Sequence, residues 1–320
     1  MTQMKEILAK ARSLIRLWWD ILTRRPPSPE QKPSSPGDEQ VPQSSLPKSE
    51  DLVEYTVVTI PPEAARPAPT AWRVLGASVQ GSRHERLGIP CQDACEWKST
   101  TDGTLVIAVA DGAGSATHSY VGAQTAVRVV IEHLADFDRL QKIDSEKSWY
   151  ALATETLEKA VGAIKIQARS YDLAMREFAT TLSFVVLRQH WIAAFQIGDG
   201  AIVVRDSDKQ LHTLTYPVSG EYVNETVFVT SMSAVDSARV VFRESSVSHL
   251  CIFTDGIQML ALQMPTASPH APFFESLFGF LDSLDASAER LESFLRSCKV
   301  RERTDDDITI VLASRCGYEG

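Results

Sequence analysis

Three aliphatic runs in this chain end in the same dipeptide. "VIAVADG" delivers Asp111, "AAFQIGDG" delivers Asp199 and "LCIFTDG" delivers Asp255, each followed at once by glycine. A fourth acidic element, Asp305, Asp306 and Asp307, immediately precedes the closing run "ITIVLAS", and Asp93 stands in "GIPCQDA" ahead of the first buried run. A strand that ends in a carboxylate holds it rigidly at the sheet's edge, and the glycine behind it permits a sharp turn and close backbone approach. Carboxylates gathered in this way repel one another unless a cation relieves them. Mg²⁺ and Mn²⁺ suit an all-oxygen donor set without thiolate or imidazole, and two such ions polarise a phosphoryl oxygen and activate water. A single Asp-Gly after a strand is ordinarily a turn, and Asp199-Gly200, between two strand-like runs, has a hairpin or tight turn as its default. Both readings stand on spacing alone. A nucleotide-binding phosphate loop is excluded in "VADGAGSATHS", because no Lys-Ser or Lys-Thr pair follows the glycines.

The remaining patterning places these elements in one large domain with an N-terminal extension. Residues 4–22 carry an apolar stripe at helical spacing that includes Trp18 and Trp19, and residues 1–25 hold a local charge of +4 against −9 for the whole chain. Such a helix is suited to dock on a partner, on its own domain or in a membrane interface, and docking on protein is the expected use. A Pro- and Ser-rich stretch over 26–70 reads as a disordered linker, interrupted by a short strand-like run at 53–60. The compact domain is expected over 71–316, with 317–320 a tail. Within it, "AWRVLGASV", "TLVIAVA", "ATTLSFVVL", "HWIAAFQIG", "AIVVRD", "SHLCIFTDG" and "DITIVLAS" read as strands. Residues 119–137, 145–172, 272–281 and 284–298 read as helices, and 220–231 as a polar loop on the substrate side. Strands clustered beside paired helices favour an α+β layered domain over a βαβ repeat. The acidic balance argues against a nucleic-acid surface. Five irregularly spaced cysteines fit reduced thiols, and no run reaches the roughly 18 apolar residues of a membrane span, so a cytoplasmic protein is expected. Cys91 reads as packed rather than nucleophilic, because no arginine-bearing phosphate loop surrounds it.

Taken in order, "GIPCQDA", "VAVADGAGS", "ATTLSFVVL", "QIGDGAIVV", "CIFTDGIQ" and "TDDDITIVL" resemble the metal-dependent serine/threonine protein phosphatase family of type 2C, especially its bacterial branch. The resemblance spans about residues 71–315. It implies a four-layer α-β-β-α sandwich of two packed antiparallel sheets, with two Mn²⁺ or Mg²⁺ ions at one end. It further implies hydrolysis of phosphoserine and phosphothreonine in proteins by a metal-bridging water. By motif, Asp111 bridges the metals, Gly112 offers its carbonyl, and Asp255 and Asp306 complete the set, while Asp93 touches a metal or lies just behind its ligands. Asp199, Gly200, Thr180, Thr181 and Asp307 fall in structural or peripheral positions. The family's phosphate-binding arginine has no match at its usual offset, which leaves His84, Arg83 and Arg86 as candidates, with His84 fitting the bacterial branch best. Ala113 stands where many eukaryotic members carry a histidine, and Gln258 where the family often has aspartate. The partners implied are a phosphoprotein substrate, a Ser/Thr kinase and a von Willebrand factor A-type protein. The rival reading is an inactive module that binds a phosphoprotein or kinase.

Overall fold

In the computed structural model of the chain, residues 72–216 and 226–316 are described. The expected helix at 4–22, the linker, the run at 53–60, the tail at 317–320 and the first part of the polar loop at 220–231 lie outside those residues.

The strand β3 (Leu105–Ala110) explains the architecture. Every one of its side chains is buried, so the sheet it belongs to must be covered on both faces. Leu105, Ile107 and Val109 point into a layer shared with Ile202, Val204, Ile252 and Val311 of the opposing sheet. The alternate residues Val106, Ala108 and Ala110 face helices on the other side. Period-two alternation thus survives as two different apolar environments rather than as apolar against polar.

One sheet has the order β1 (Trp72–Val79), β12 (Ile308–Arg315), β9 (Val247–Phe253), β6 (Ala201–Asp206) and β7 (Leu211–Thr215). The other runs β2 (Ala94–Ser99), β3, β4 (Leu182–Leu187), β5 (Trp191–Ile197) and β8 (Arg239–Glu244). Neighbouring strands in both are antiparallel. A two-stranded ribbon, β10 (Leu262–Gln263) with β11 (Ser268–Pro269), stands apart. The second sheet is covered by α2 (Ser119–Leu134) and α4 (Glu146–Ser170), linked through the short α3 (Phe137–Leu140). The first is covered by α6 (Ala271–Asp282) and α7 (Ala288–Leu295). The fold is therefore the expected α-β-β-α sandwich of two antiparallel sheets.

Local chemistry sets the helix ends. Ser145 caps α4 and exchanges bonds with Ser148, and Ser287 caps α7 by accepting from Arg290 N. In the helical layer Trp149 is fully buried and donates Nε1–H to Ala194 O at 3.0 Å, while Phe184 and Phe195 stack at 4.7 Å. Each such side chain contributes about 1.5–3 kcal/mol by its burial.

The expected hairpin between "HWIAAFQIG" and "AIVVRD" is corrected by the sheet order. β5 pairs with β4 and β8, whereas β6 pairs with β9 and β7, so the turn at 198–200 carries the chain from one sheet to the other. Gly198 has φ +107°, and a Cβ there would lie 2.5 Å from Thr181 Cβ, so a side chain is excluded at the crossing.

Candidate metal centre

The crossing turn, the end of β3 and the end of β9 meet at one end of the sandwich. Asp111, Asp199 and Asp255 each place a carboxylate oxygen there, and those oxygens lie within 4.8 Å of one another. All three residues are half-buried.

Asp111 is fixed through its backbone. Its N–H donates to Thr181 Oγ1 at 2.9 Å, and its carbonyl accepts from Thr181 N at 2.8 Å and from Thr180 Oγ1 at 2.9 Å. The next residue, Gly112, donates its N–H to Gln92 O at 3.1 Å. Asp255 sits on a single 3₁₀ turn, and the following glycine is demanded by close approach: a Cβ on Gly256 would lie 2.0 Å from Asp307 O. Asp199 is held from outside the turn, its Oδ2 accepting from Thr226 Oγ1 at 2.7 Å.

Burial and crowding show in the acid strengths. Burial raises Asp111 well above the ordinary carboxylate range, and the charges of Asp93, Asp255, Asp199 and Asp306 add to it. Asp255 is pushed up to about 7 by burial, then by Asp199 and Asp306. Asp93, buried beside Asp307, is likewise raised by burial first and by that neighbour's charge second, although Thr254 Oγ1 donates to its Oδ2 at 2.8 Å.

The donor set fits a hard divalent cation. The converging atoms are all carboxylate oxygens, their like charges disfavour one another, and Asp199 Oδ1 is buried without a hydrogen-bond partner. A cation of this class bound there would relieve that repulsion. Burial raises the Cys91 thiol above its ordinary range, which disfavours its thiolate.

A sequence profile described as Protein phosphatase 2C matches residues 80–296. Serine/threonine-protein phosphatase 3 of Escherichia coli (strain K12) is 36% identical over 254 residues, which is 76% of this chain and 98% of that protein. The chain belongs to the protein phosphatase 2C family. Solved phosphatases of the bacterial branch share the fold. The S. agalactiae serine/threonine phosphatase aligns with a TM-score of 0.54 at 15% identity, covering 76% of this chain and 99% of its own. Serine/threonine phosphatase Stp1 from Staphylococcus aureus aligns with a TM-score of 0.51 at 11% identity, covering 79% and 99%.

Within this phosphatase fold the other residues singled out from sequence separate into two groups. Asp306 is exposed at the rim, with Oδ1 accepting from Asp307 N at 2.9 Å, and its charge acts on Asp111 and Asp255 from outside the converging three. Asp199, assigned to the periphery from sequence, lies among them. Asp307 is buried and acts as a clamp. Its Oδ1 accepts from Gly81 N and its Oδ2 from Gln92 N, both at 2.6 Å, and His84 Nδ1 lies 2.9 Å from Oδ2. His84 is thereby turned into the protein on α1 (Ser82–Leu87). Arg83 and Arg86 on the same helix are exposed. Arg86 lies 3.9 Å from Asp305, and Arg83 has no side-chain ion pair or hydrogen bond among the described residues. Gly200 lies where a Cβ would come within 2.7 Å of Phe253 O, which ties the crossing turn to the end of β9. Thr226 was not singled out. Its only sequence signal is a hydroxyl inside the polar stretch at 220–231. Two clefts of about 500 and 340 Å³ are lined by other residues, from Asp136 to Glu155 and around Arg188, and share none with the carboxylates. Among the described residues no helix is long and apolar enough to cross a membrane.

Proposed function

We propose that the chain hydrolyses phosphoserine and phosphothreonine in proteins, with Asp111, Asp199 and Asp255 holding the divalent cations that the reaction requires. The convergence of these three carboxylates, in a member of the protein phosphatase 2C family, carries the reading. The relative named serine/threonine-protein phosphatase 3 supports the substrate class. Two ions of Mn²⁺ or Mg²⁺ suit the oxygen-only donors, with Asp306, Asp93 and the Gly112 carbonyl completing their surroundings. When bound, such ions supply Lewis-acid polarisation of the phosphoryl group and a water acidic enough to attack it near neutral pH.

The chain's own residues do the positioning. Thr180 and Thr181 hold the Asp111 backbone, so its carboxylate enters the cluster without rearrangement. Asp307 pins the segments from Gly81 and to Gln92, which sets where α1 stands. Arg83, exposed and without a side-chain partner among the described residues, is left to orient the substrate phosphate, whereas His84 is buried beside Asp307. Ala113 carries no proton donor, so the leaving oxygen takes its proton from another group. The resemblance points to a Ser/Thr kinase and a von Willebrand factor A-type protein as partners, and docking on a partner or on its own domain is the favoured use of residues 1–25 over contact with a membrane.

The test is phosphate release from a panel of phosphoserine and phosphothreonine peptides. The wild-type chain is expected to act with Mn²⁺ and to stop with chelator. Asp111→Asn is expected to lose activity on the order of 10²–10³-fold. A wild-type chain that is silent on the whole panel, or an Asp111→Asn variant that keeps full activity, overturns the reading.

A further inference from the structure

The two oxygens of Asp199 have different surroundings. Oδ2 accepts from the Thr226 hydroxyl at 2.7 Å, an ordinary length for an O–H···O bond. Oδ1 is buried and meets no donor. Thr226 itself is held close to the cluster by the residues that follow it. Val229 N donates to Thr180 O at 2.9 Å, and the Thr180 hydroxyl in turn binds the Asp111 carbonyl. Phe228 packs on Ala113, Ala116 and Ala179, and its N–H donates to Ser231 Oγ at 3.2 Å. The segment that carries Thr226 is thus anchored on the Asp111 loop, while its hydroxyl reaches across to the turn between the sheets.

We propose that Thr226 is a positioning residue for the cation site: its hydroxyl occupies Asp199 Oδ2, stops the carboxylate from rotating and reserves Oδ1 for the metal. Asp199 needs such a hold more than Asp111 does. Asp111 follows a strand whose end is clamped by Thr180 and Thr181, whereas Asp199 lies on a three-residue crossing between sheets. A carboxylate with both oxygens free to exchange presents either one to a cation, at a cost in affinity. A hydroxyl that can only donate to Oδ2 selects one orientation. Partners of this kind, one step behind the ligating atom, typically set metal affinity by 10–100-fold.

The inference rests on the three carboxylates being the cation site, and the experiment separates the two claims. Mn²⁺ binding to the full chain is measured by titration calorimetry and by loss of the free-ion electron paramagnetic resonance signal, for wild type, Thr226→Val and Thr226→Ser. Thr226→Val keeps the shape and removes the donor, and is expected to weaken Mn²⁺ binding about tenfold. Thr226→Ser keeps the hydroxyl and is expected to stay within about twofold of wild type. If valine does not fold there, Thr226→Ala repeats the test with a smaller side chain. Wild-type affinity in the variant lacking the hydroxyl overturns the role of Thr226 and leaves the cation site standing, as does an equal loss in Thr226→Ser. A wild-type chain that binds no Mn²⁺ overturns the cation site and this inference with it.

Discussion

Replacing Asp255 with asparagine is expected to stabilise the chain when metal is withheld, although it destroys the site. Burial, with the charges of Asp199 and Asp306, lifts the Asp255 carboxyl from 3.8 to about 7 in the folded chain. A folded value above the unfolded one means the folded state prefers the protonated form. The stabilisation from that preference is complete below pH 3.8 and is lost as pH rises through about 7. At pH 8 wild type therefore bears a charge that the fold disfavours by about 4 kcal/mol at most. Coulomb repulsion gives a similar size, because two unit charges within 4.8 Å interact by about 3 kcal/mol at an effective dielectric constant near 20. Asparagine has nearly the same shape and no charge.

The assay is urea and thermal unfolding of wild type and Asp255→Asn in chelator, from pH 5 to pH 8. The variant's advantage is expected to be roughly 1.6 kcal/mol at pH 5 and largest at pH 8, where it raises the melting temperature by as much as about 10 °C. Mn²⁺ narrows the gap. At a hundredfold excess over its dissociation constant it adds about 2.7 kcal/mol to wild type, and the variant forgoes most of that. Two results refute the reasoning. One is a variant less stable than wild type at pH 8 in chelator, which would make the Asp255 carboxylate a net structural asset. The other is an advantage that does not change with pH.

Three further substitutions probe the groups around the cluster. Asp307→Ala leaves the Gly81 and Gln92 N–H groups buried without their common acceptor and removes the carboxylate beside His84, and is expected to cost about 3–5 kcal/mol in urea unfolding; a loss below about 1 kcal/mol would show that the clamp is dispensable. Arg83→Ala is expected to raise KM for a phosphopeptide about tenfold with little change in kcat, while His84→Ala acts mainly on melting temperature, and the opposite pattern in steady-state kinetics and unfolding would return the phosphate to His84.

Apart from the edge strand β1, the strands that were legible in the sequence are those that are buried on both faces. β3, β4, β5, β6, β9 and β12 are mostly aliphatic or aromatic runs, because one face meets the other sheet and one meets helices. β2, β7, β8 and α1 were not read out. "ACEWKS", "LHTLT", "RVVFRE" and "SRHERL" mix charge with apolar residues, since edge strands and a surface helix are only partly covered. The same limit applies to the site. Asp111 and Asp255 announce themselves as a strand followed by Asp-Gly. Asp199 has that signature too, yet two adjacent strand-like runs argue locally for a hairpin. Only the distant partners of β5 and β6, which are β4 and β9, decide that its turn crosses between sheets. His84 and Asp307 lie more than two hundred residues apart, and nothing near either one indicates their pairing.

The crossing also explains how a domain tolerates mutually repelling carboxylates in one place. Asp111 extends from the helix-covered second sheet, Asp255 from the first, and Asp199 from the link between them. If all three came from one sheet edge, a small splay of the strands would separate the charges at little cost. Here separation requires the two sheets to part, and the layer between them includes the wholly buried Ile107, Val185, Ile252 and Val311. Each such residue contributes about 1.5–3 kcal/mol by its burial, so a few of them outweigh the roughly 4 kcal/mol at stake in charging Asp255. The inter-sheet core is therefore what keeps the carboxylates together, and a cation bound among them links the two sheets at the end where the core stops.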